Sequence, residues 1–113
     1  MIDKYQFGKI VIDDQAYTRD LLIMPGGVIP DWWREEGHRL ARSDLEPILA
    51  DPPEVLVVGT GRYGRMNVPS DTRRNLENEG IELVIQPTAP ACETYNQFEA
   101  DGRRVAAALH LTC

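Results

Sequence analysis

Three features of the 113-residue sequence predict a single α/β domain spanning residues 1–113. An apolar, β-branched run, Val55-Leu56-Val57-Val58, breaks into the glycine loop Gly59-Thr60-Gly61-Arg62-Tyr63-Gly64. A second strand pattern, Ile81–Gln86, follows after one short helical segment, and the N-terminal third reads as short strands divided by turn residues. Strands alternating with helices build parallel βαβ units, whereas strands joined by tight turns build antiparallel meanders. The expected architecture is therefore an N-terminal β-meander followed by a C-terminal β-α-β-α-β half.

The meander begins with Tyr5–Ile12, whose apolar parity changes across Gly8; a β-bulge at Gly8 is the expected cause. Asp13-Asp14 supplies a hairpin turn into Gln15–Thr18, and Leu21–Met24 reads as a strand closed by Pro25-Gly26-Gly27. Val28-Ile29 starts another extended piece, which Pro30 confines to an edge strand or a loop because proline lacks the N–H. Ser43-Asp44-Leu45-Glu46 has the spacing of a capping box and predicts a helix from Asp44, stopped early by Asp51-Pro52-Pro53. Glu54–Val58 shows no alternation, as expected of a strand covered on both faces. Pro69-Ser70-Asp71 opens the next helix, with Val68, Thr72 and Leu76 as its inner stripe and Gly80 suited to a left-handed cap. Thr88 with Pro90 opens a helix to about Asp101, with Ala91, Cys92, Tyr95 and Phe98 on one face. The tail Arg103–Leu111 is ambiguous between an alanine-rich helix and an alternating strand, and Gly102 before it favours the strand.

Composition narrows the function classes. A net charge of −6, with ten arginines and two lysines, argues against a general nucleic-acid or anionic-membrane binder, which needs clustered positive charge. No apolar run approaches the roughly 20 residues that span a bilayer, and the start Met1-Ile2-Asp3-Lys4 lacks a signal-peptide profile, so a cytoplasmic location is expected. Two widely spaced cysteines, Cys92 and Cys113, do not form a disulfide framework or a metal set, and neither metal nor cofactor is expected.

If the strands Glu54–Val58 and Ile81–Gln86 are parallel neighbours, the glycine loop and the helix opening at Thr88 share one carboxyl edge, where open α/β sheets form ligand crevices. The spacing Gly59, Gly61, Gly64 formally matches a dinucleotide fingerprint. However, Pro69 stands where that motif needs helix interior, and Gln86 stands where it needs an acidic residue. A tight structural turn and a loop for a small anion remain as readings. For the second, the candidate ligand-binding residues are Gly59, Thr60, Gly61, Arg62, Cys92, Tyr95 and Asn96. Cys92 has two readings: a thiol activated by the positive end of its helix, or a small apolar side chain packed beside Tyr95. Asn96, one turn later, either lines the crevice or ties down a backbone. His38 and His110 are the only histidines, nothing in the spacing brings either to Cys92, and no set of acid, base and nucleophile emerges. Trp32-Trp33 has two readings, an anchor for a partner or burial of at least one ring against the sheet, and Trp33 and Arg34 are the candidate partner surface.

Several segments in order resemble one small-domain family. They are Trp33-Arg34 followed by Gly37-His38, the Gly59-Thr60-Gly61 loop, Gly80-Ile81, the segment Thr88–Asn96, and Gly102-Arg103-Arg104-Val105-Ala106-Ala107. The family is the Mth938-like group of unknown function, whose eukaryotic relatives include a mitochondrial complex I assembly factor and an adipogenesis-associated protein. The resemblance covers nearly the whole chain. It implies a three-layer α/β fold with a central mixed sheet, a strand for the tail, and an accessory or assembly-type role through protein contacts without established catalysis. From the residues themselves, the partners left open are an unknown protein, a second copy of the chain, or a small anionic ligand held between the Gly59–Gly61 loop and the Thr88 helix.

Overall fold

The chain runs β1 (Ile2–Gln6), β2 (Lys9–Ile12), β3 (Gln15–Tyr17), β4 (Leu21–Met24), β5 (Gly27–Ile29), α1 (Glu46–Ala50), β6 (Val55–Thr60), α2 (Ser70–Asn78), β7 (Glu82–Gln86), α3 (Thr88–Ala100) and β8 (Val105–His110). The computed structural model describes residues 1–113. Strands β1-β2-β3 form a small antiparallel sheet, and the central five-stranded sheet has the order β5-β4-β8-β6-β7. Within it β6 is parallel to both β7 and β8, while β4 is antiparallel to β8 and β5 to β4. The sheet is therefore mixed, and the tail is a strand at its centre.

The central sheet has a layer on each face. On one side Ile2, Ile10 and Ile12 of the small sheet and Ala91, Cys92 and Tyr95 of α3 pack with Val55, Val57, Ala107 and Leu109. On the other, Leu45, Ile48 and Leu76, together with Trp32, Leu40 and Met66 from the loops, pack with Leu56, Val58, Ala106 and Ala108. Every residue of β6 and β8 is buried, which is why neither strand alternates. Three consecutive alanines in β8 leave room for the larger side chains that reach the sheet from both layers. The expected inner stripe of α2, Val68, Thr72 and Leu76, is buried, and Gly80 takes φ +76° after it.

Two local expectations are corrected. Gly8, with φ +75°, sits in the turn between β1 and β2; the parity change marks the reversal of the chain, and the bulge lies between Ile2 and Lys4 instead. The Ser43-to-Glu46 box does not form. A 3₁₀ turn, Arg42–Leu45, precedes α1, and the carboxylate of Asp44 accepts the N–H groups of Ala41 at 2.8 Å and Glu35 at 3.1 Å. The Ser43 hydroxyl turns away to Glu35 Oε1 at 3.4 Å. A charged acceptor that satisfies two backbone donors outcompetes a serine hydroxyl that satisfies one.

The depth of the second core sets an expected cost. Leu56 is fully buried, so Leu56→Ala should destabilise the protein by about 2–5 kcal/mol in urea unfolding. An unchanged midpoint would contradict the two-sided burial of β6.

Candidate functional site

The parallel register of β6 and β7, Val58 opposite Ile85 and Gly59 opposite Gln86, does bring the glycine loop to the start of α3. The two meet in direct contact. Gly61 N–H donates to Thr88 Oγ1 at 2.8 Å, Thr88 N–H donates back to Gly61 C=O at 3.0 Å, and the Thr88 hydroxyl donates to His110 C=O at 2.6 Å. Thr60 Oγ1 donates to Gln86 C=O at 3.1 Å, and Arg62 N–H donates to Thr112 C=O at 2.7 Å. A Cβ on Gly59 would lie 2.9 Å from Thr88 Oγ1 and 3.2 Å from Thr88 Cα; Gly61 takes φ +103°. The glycines thus let a backbone turn close on a helix start, and the amides at this seam are spent within the chain.

The other candidate ligand residues are distributed elsewhere. The Arg62 side chain is exposed beyond the seam. Asn96 clamps the first strand: its Oδ1 accepts Ile2 N–H and its Nδ2 donates to Ile2 C=O, both at 2.8 Å. Asn96 and Cys92 line a shallow hollow with Lys4 and Tyr5, whereas Tyr95 faces a different one and donates its hydroxyl to Glu99 at 3.1 Å. Burial, with Glu93 adding to it, pushes the Cys92 thiol up to about 12, opposite to what the helix dipole alone would do. Burial and Glu99 likewise raise the Tyr95 phenol. Desolvation outweighs the dipole because the Cys92 side chain is turned into the core.

The partner-surface pair also separates. Trp33 is 75 % exposed, with the Arg19 guanidinium 5.9 Å from its ring centroid. Arg34 is turned inward, its side chain 4 % exposed and its guanidinium 4.8 Å from the ring centroid of buried Trp32. Arg34 Nη2 donates to Gly37 C=O at 2.8 Å, and Nη1 lies 2.9 Å from Asp20 Oδ2 as an ion pair without hydrogen-bond alignment. The same Asp20 Oδ2 is 2.8 Å from His110 Nδ1, and Asp20 Oδ1 accepts Leu111 N–H at 2.7 Å.

This Asp20–His110–Arg34 cluster escaped sequence reasoning because its members are 14, 76 and 90 positions apart. Its signal is the β4–β8 register, where Leu21 lies opposite Leu109 and the next pair outward is Asp20 with His110. Burial alone would raise the Asp20 carboxyl, but the His110 ring, the Leu111 amide and Arg34 together hold it below the usual carboxylate range. His110 Nδ1 thus lies between the carboxylate, 2.8 Å from Asp20 Oδ2, and the guanidinium, 3.2 Å from Arg34 Nη2. His110 Nε2 is sealed from solvent and has no partner, and the nearest ring, His38, has its centroid 5.7 Å from that of His110. The contacts of His110 tie the end of β8 to Asp20 and Arg34.

Above the cluster lies an open cavity of about 270 Å³, lined by Trp32, Trp33, Arg34, Arg19, Asp20 and Asp31 among others. No group of three or more His, Cys, Asp and Glu side chains is arranged to hold a metal, and no helix is long and apolar enough to cross a membrane.

The fold and this geometry can be set beside known proteins. The family model described as protein of unknown function (DUF498/DUF598) matches residues 2–110. The chain belongs to that family. Its fold superposes on a conserved hypothetical protein of Pyrococcus horikoshii OT3 with a TM-score of 0.83 and 27 % identity, covering 100 % of this chain and 99 % of that one. It also superposes on a Mth938-like domain of Bordetella pertussis, with a TM-score of 0.80 and 26 % identity over 98 % of this chain and 85 % of that one. The Homo sapiens NADH dehydrogenase (ubiquinone) 1 alpha subcomplex assembly factor 3 is 29 % identical over 116 aligned positions, 96 % of this chain and 59 % of that protein. The 13 kDa major membrane protein of Francisella tularensis is 23 % identical over 90 % of this chain and 83 % of its own length. The chain thus spans less than two thirds of the assembly factor.

Two outcomes test the site geometry. Thr88→Val strands the buried Gly61 N–H and His110 C=O and should cost about 1–3 kcal/mol for each group left unpaired, read by urea unfolding; a neutral variant would contradict the seam. The depressed Asp20 carboxyl contributes stability that is present above its unfolded pKa and lost as pH falls through the lower folded value. The stability gap between wild type and Asp20→Asn should therefore be full at about pH 6 and close toward about pH 3. A gap independent of pH would contradict the ionised pair.

Proposed function

We propose that this domain is a non-catalytic accessory module, of the assembly type, that works by holding a protein partner against the Trp33 surface. The observation that carries the reading is the contrast between neighbours. Trp32 is 8 % exposed and donates its indole N–H to Asp44 C=O at 2.8 Å, while Trp33 stands 75 % exposed beside the cavity. Leaving a tryptophan in water forgoes about 1.5–3 kcal/mol of burial, and exposed aromatic residues on a rigid base are the usual anchors of protein interfaces. The base here is rigid: Trp32, Arg34, Asp20 and His110 lock the strand ends beneath it. The name of the assembly-factor relative supports the same class of role. We take the site of action to be cytoplasmic, on the acidic composition and the lack of a long apolar segment.

Affinity capture from native lysate, with wild type and Trp33→Ala in parallel, tests the reading. A partner held by wild type should be lost or weakened about tenfold or more in Trp33→Ala, with the fold unchanged. In the reconstituted complex, iodide quenching of tryptophan fluorescence should fall, because Trp33 is the ring that iodide reaches. Equal capture by both proteins, or undiminished quenching on binding, would refute the Trp33 surface.

A further inference from the structure

The outer edge of β7 is an open hydrogen-bonding ladder. Glu82 N–H donates to Glu54 C=O at 2.9 Å, and Gln86 C=O accepts the Thr60 hydroxyl, so Glu82, Val84 and Gln86 turn their backbone groups toward β6. Backbone direction alternates along a strand, which leaves the N–H and C=O of Leu83 and Ile85 facing outward beyond the last strand of the sheet. The ladder is bounded on both sides. Ile81 N–H is bonded to Leu76 C=O at 3.1 Å, and Pro87 has no N–H. Edge strands are commonly blunted by lysine, proline, a bulge or shortness. The opposite edge, β5, is three residues long and runs into Pro30, whereas β7 pairs with β6 over five residues in unbroken register, with Leu83-Val84-Ile85 at its middle.

We propose that a second copy of this chain covers this edge, through antiparallel pairing of β7 with β7 about a two-fold axis at Val84. Only this register uses all four outward groups. Leu83 of one copy lies opposite Ile85 of the other, and each such pair exchanges two N–H to C=O bonds; the two Val84 residues face each other as a non-hydrogen-bonded pair. The side chains at the ends agree with it. Glu82 of one copy meets Gln86 of the other; the Glu82 carboxylate is 54 % exposed with one oxygen 3.5 Å from Arg103 Nη2 and the other open, and Gln86 accepts Thr94 Oγ1 on its own Oε1 at 2.6 Å, leaving Nε2 free to donate. Helix α2, which covers one face of β7, carries Asp71 and Glu77 against Arg73 and Arg74 and so brings no net charge to the axis on that face. The two central sheets become one continuous sheet, and the Trp33 surface takes no part in the contact.

Sedimentation equilibrium combined with amide hydrogen exchange on the full chain tests this. Wild type should reach twice 12.7 kDa at high concentration, with Leu83 and Ile85 amides protected there and released on dilution while β6 stays protected. Ile85→Pro removes an outward N–H and leaves the ladder to β6 intact, so it should be monomeric. Gln86→Glu sets two carboxylates opposite each other and should raise the dissociation constant about tenfold or more, and adding Glu82→Lys should restore it. A monomer at every concentration overturns the proposal. So does a dimer in which Leu83 and Ile85 exchange as fast as in the monomer, and so does a Gln86→Glu protein that associates as wild type does. Should Ile85→Pro not fold, the wild-type exchange and the charge pair decide the matter.

Discussion

The double pairing of β8 is the contact on which the rest of the molecule depends. This strand comes last in the chain yet lies at the centre of the sheet, antiparallel to β4 and parallel to β6. It is where the N-terminal strands join the βαβ half. Closing a loop from Leu21 to Leu109 costs chain entropy, and the return is a strand buried on both faces and bonded on both edges. The alanines are part of that return. Their small volume admits large side chains from both covering layers onto one strand without strain.

The polar cluster beneath Trp33 grows from the carboxyl end of that strand. His110 is where three structures converge: its carbonyl accepts the Thr88 hydroxyl, its ring binds Asp20, and the next residue's amide binds the other oxygen of the same carboxylate. Asp20 in turn fixes Arg34, and Arg34 covers Trp32 and leaves Trp33 outside. A chain of polar contacts anchored in the sheet thus decides which of two adjacent tryptophans is core and which is surface. Such a pair of buried charges is costly unless every group is matched; here both carboxylate oxygens have partners, whereas Arg34 Nη1 and His110 Nε2 make no hydrogen bond.

Much of this was legible in the sequence and some was not, for identifiable reasons. The unbroken apolar run of β6, the glycine stops after α2 and α3, and the alternate reading of the tail as a strand all rest on local periodicity and turn chemistry. The change of parity at Gly8 has two local causes, a bulge or a reversal, and only the pairing of β1 with β2 separates them. At Ser43 the spacing suited a capping box, but Asp44 satisfied the backbone from one position further on. The Asp20–His110–Arg34 cluster is a consequence of strand order, which no window of the sequence contains. The same limit applies to the glycine loop: its approach to Thr88 follows from parallel strands, while the closeness of that approach depends on contacts with β8.

Native-state hydrogen exchange along the sheet tests the central role of β8 most directly. Amides of β4, β6 and β8 should exchange together through one global opening, because β4 has no other buried neighbour of comparable length once β8 leaves. Exchange of β4 at a markedly lower free energy than β6, with β8 still protected, would show that the N-terminal strands are a separate unit and would contradict the account.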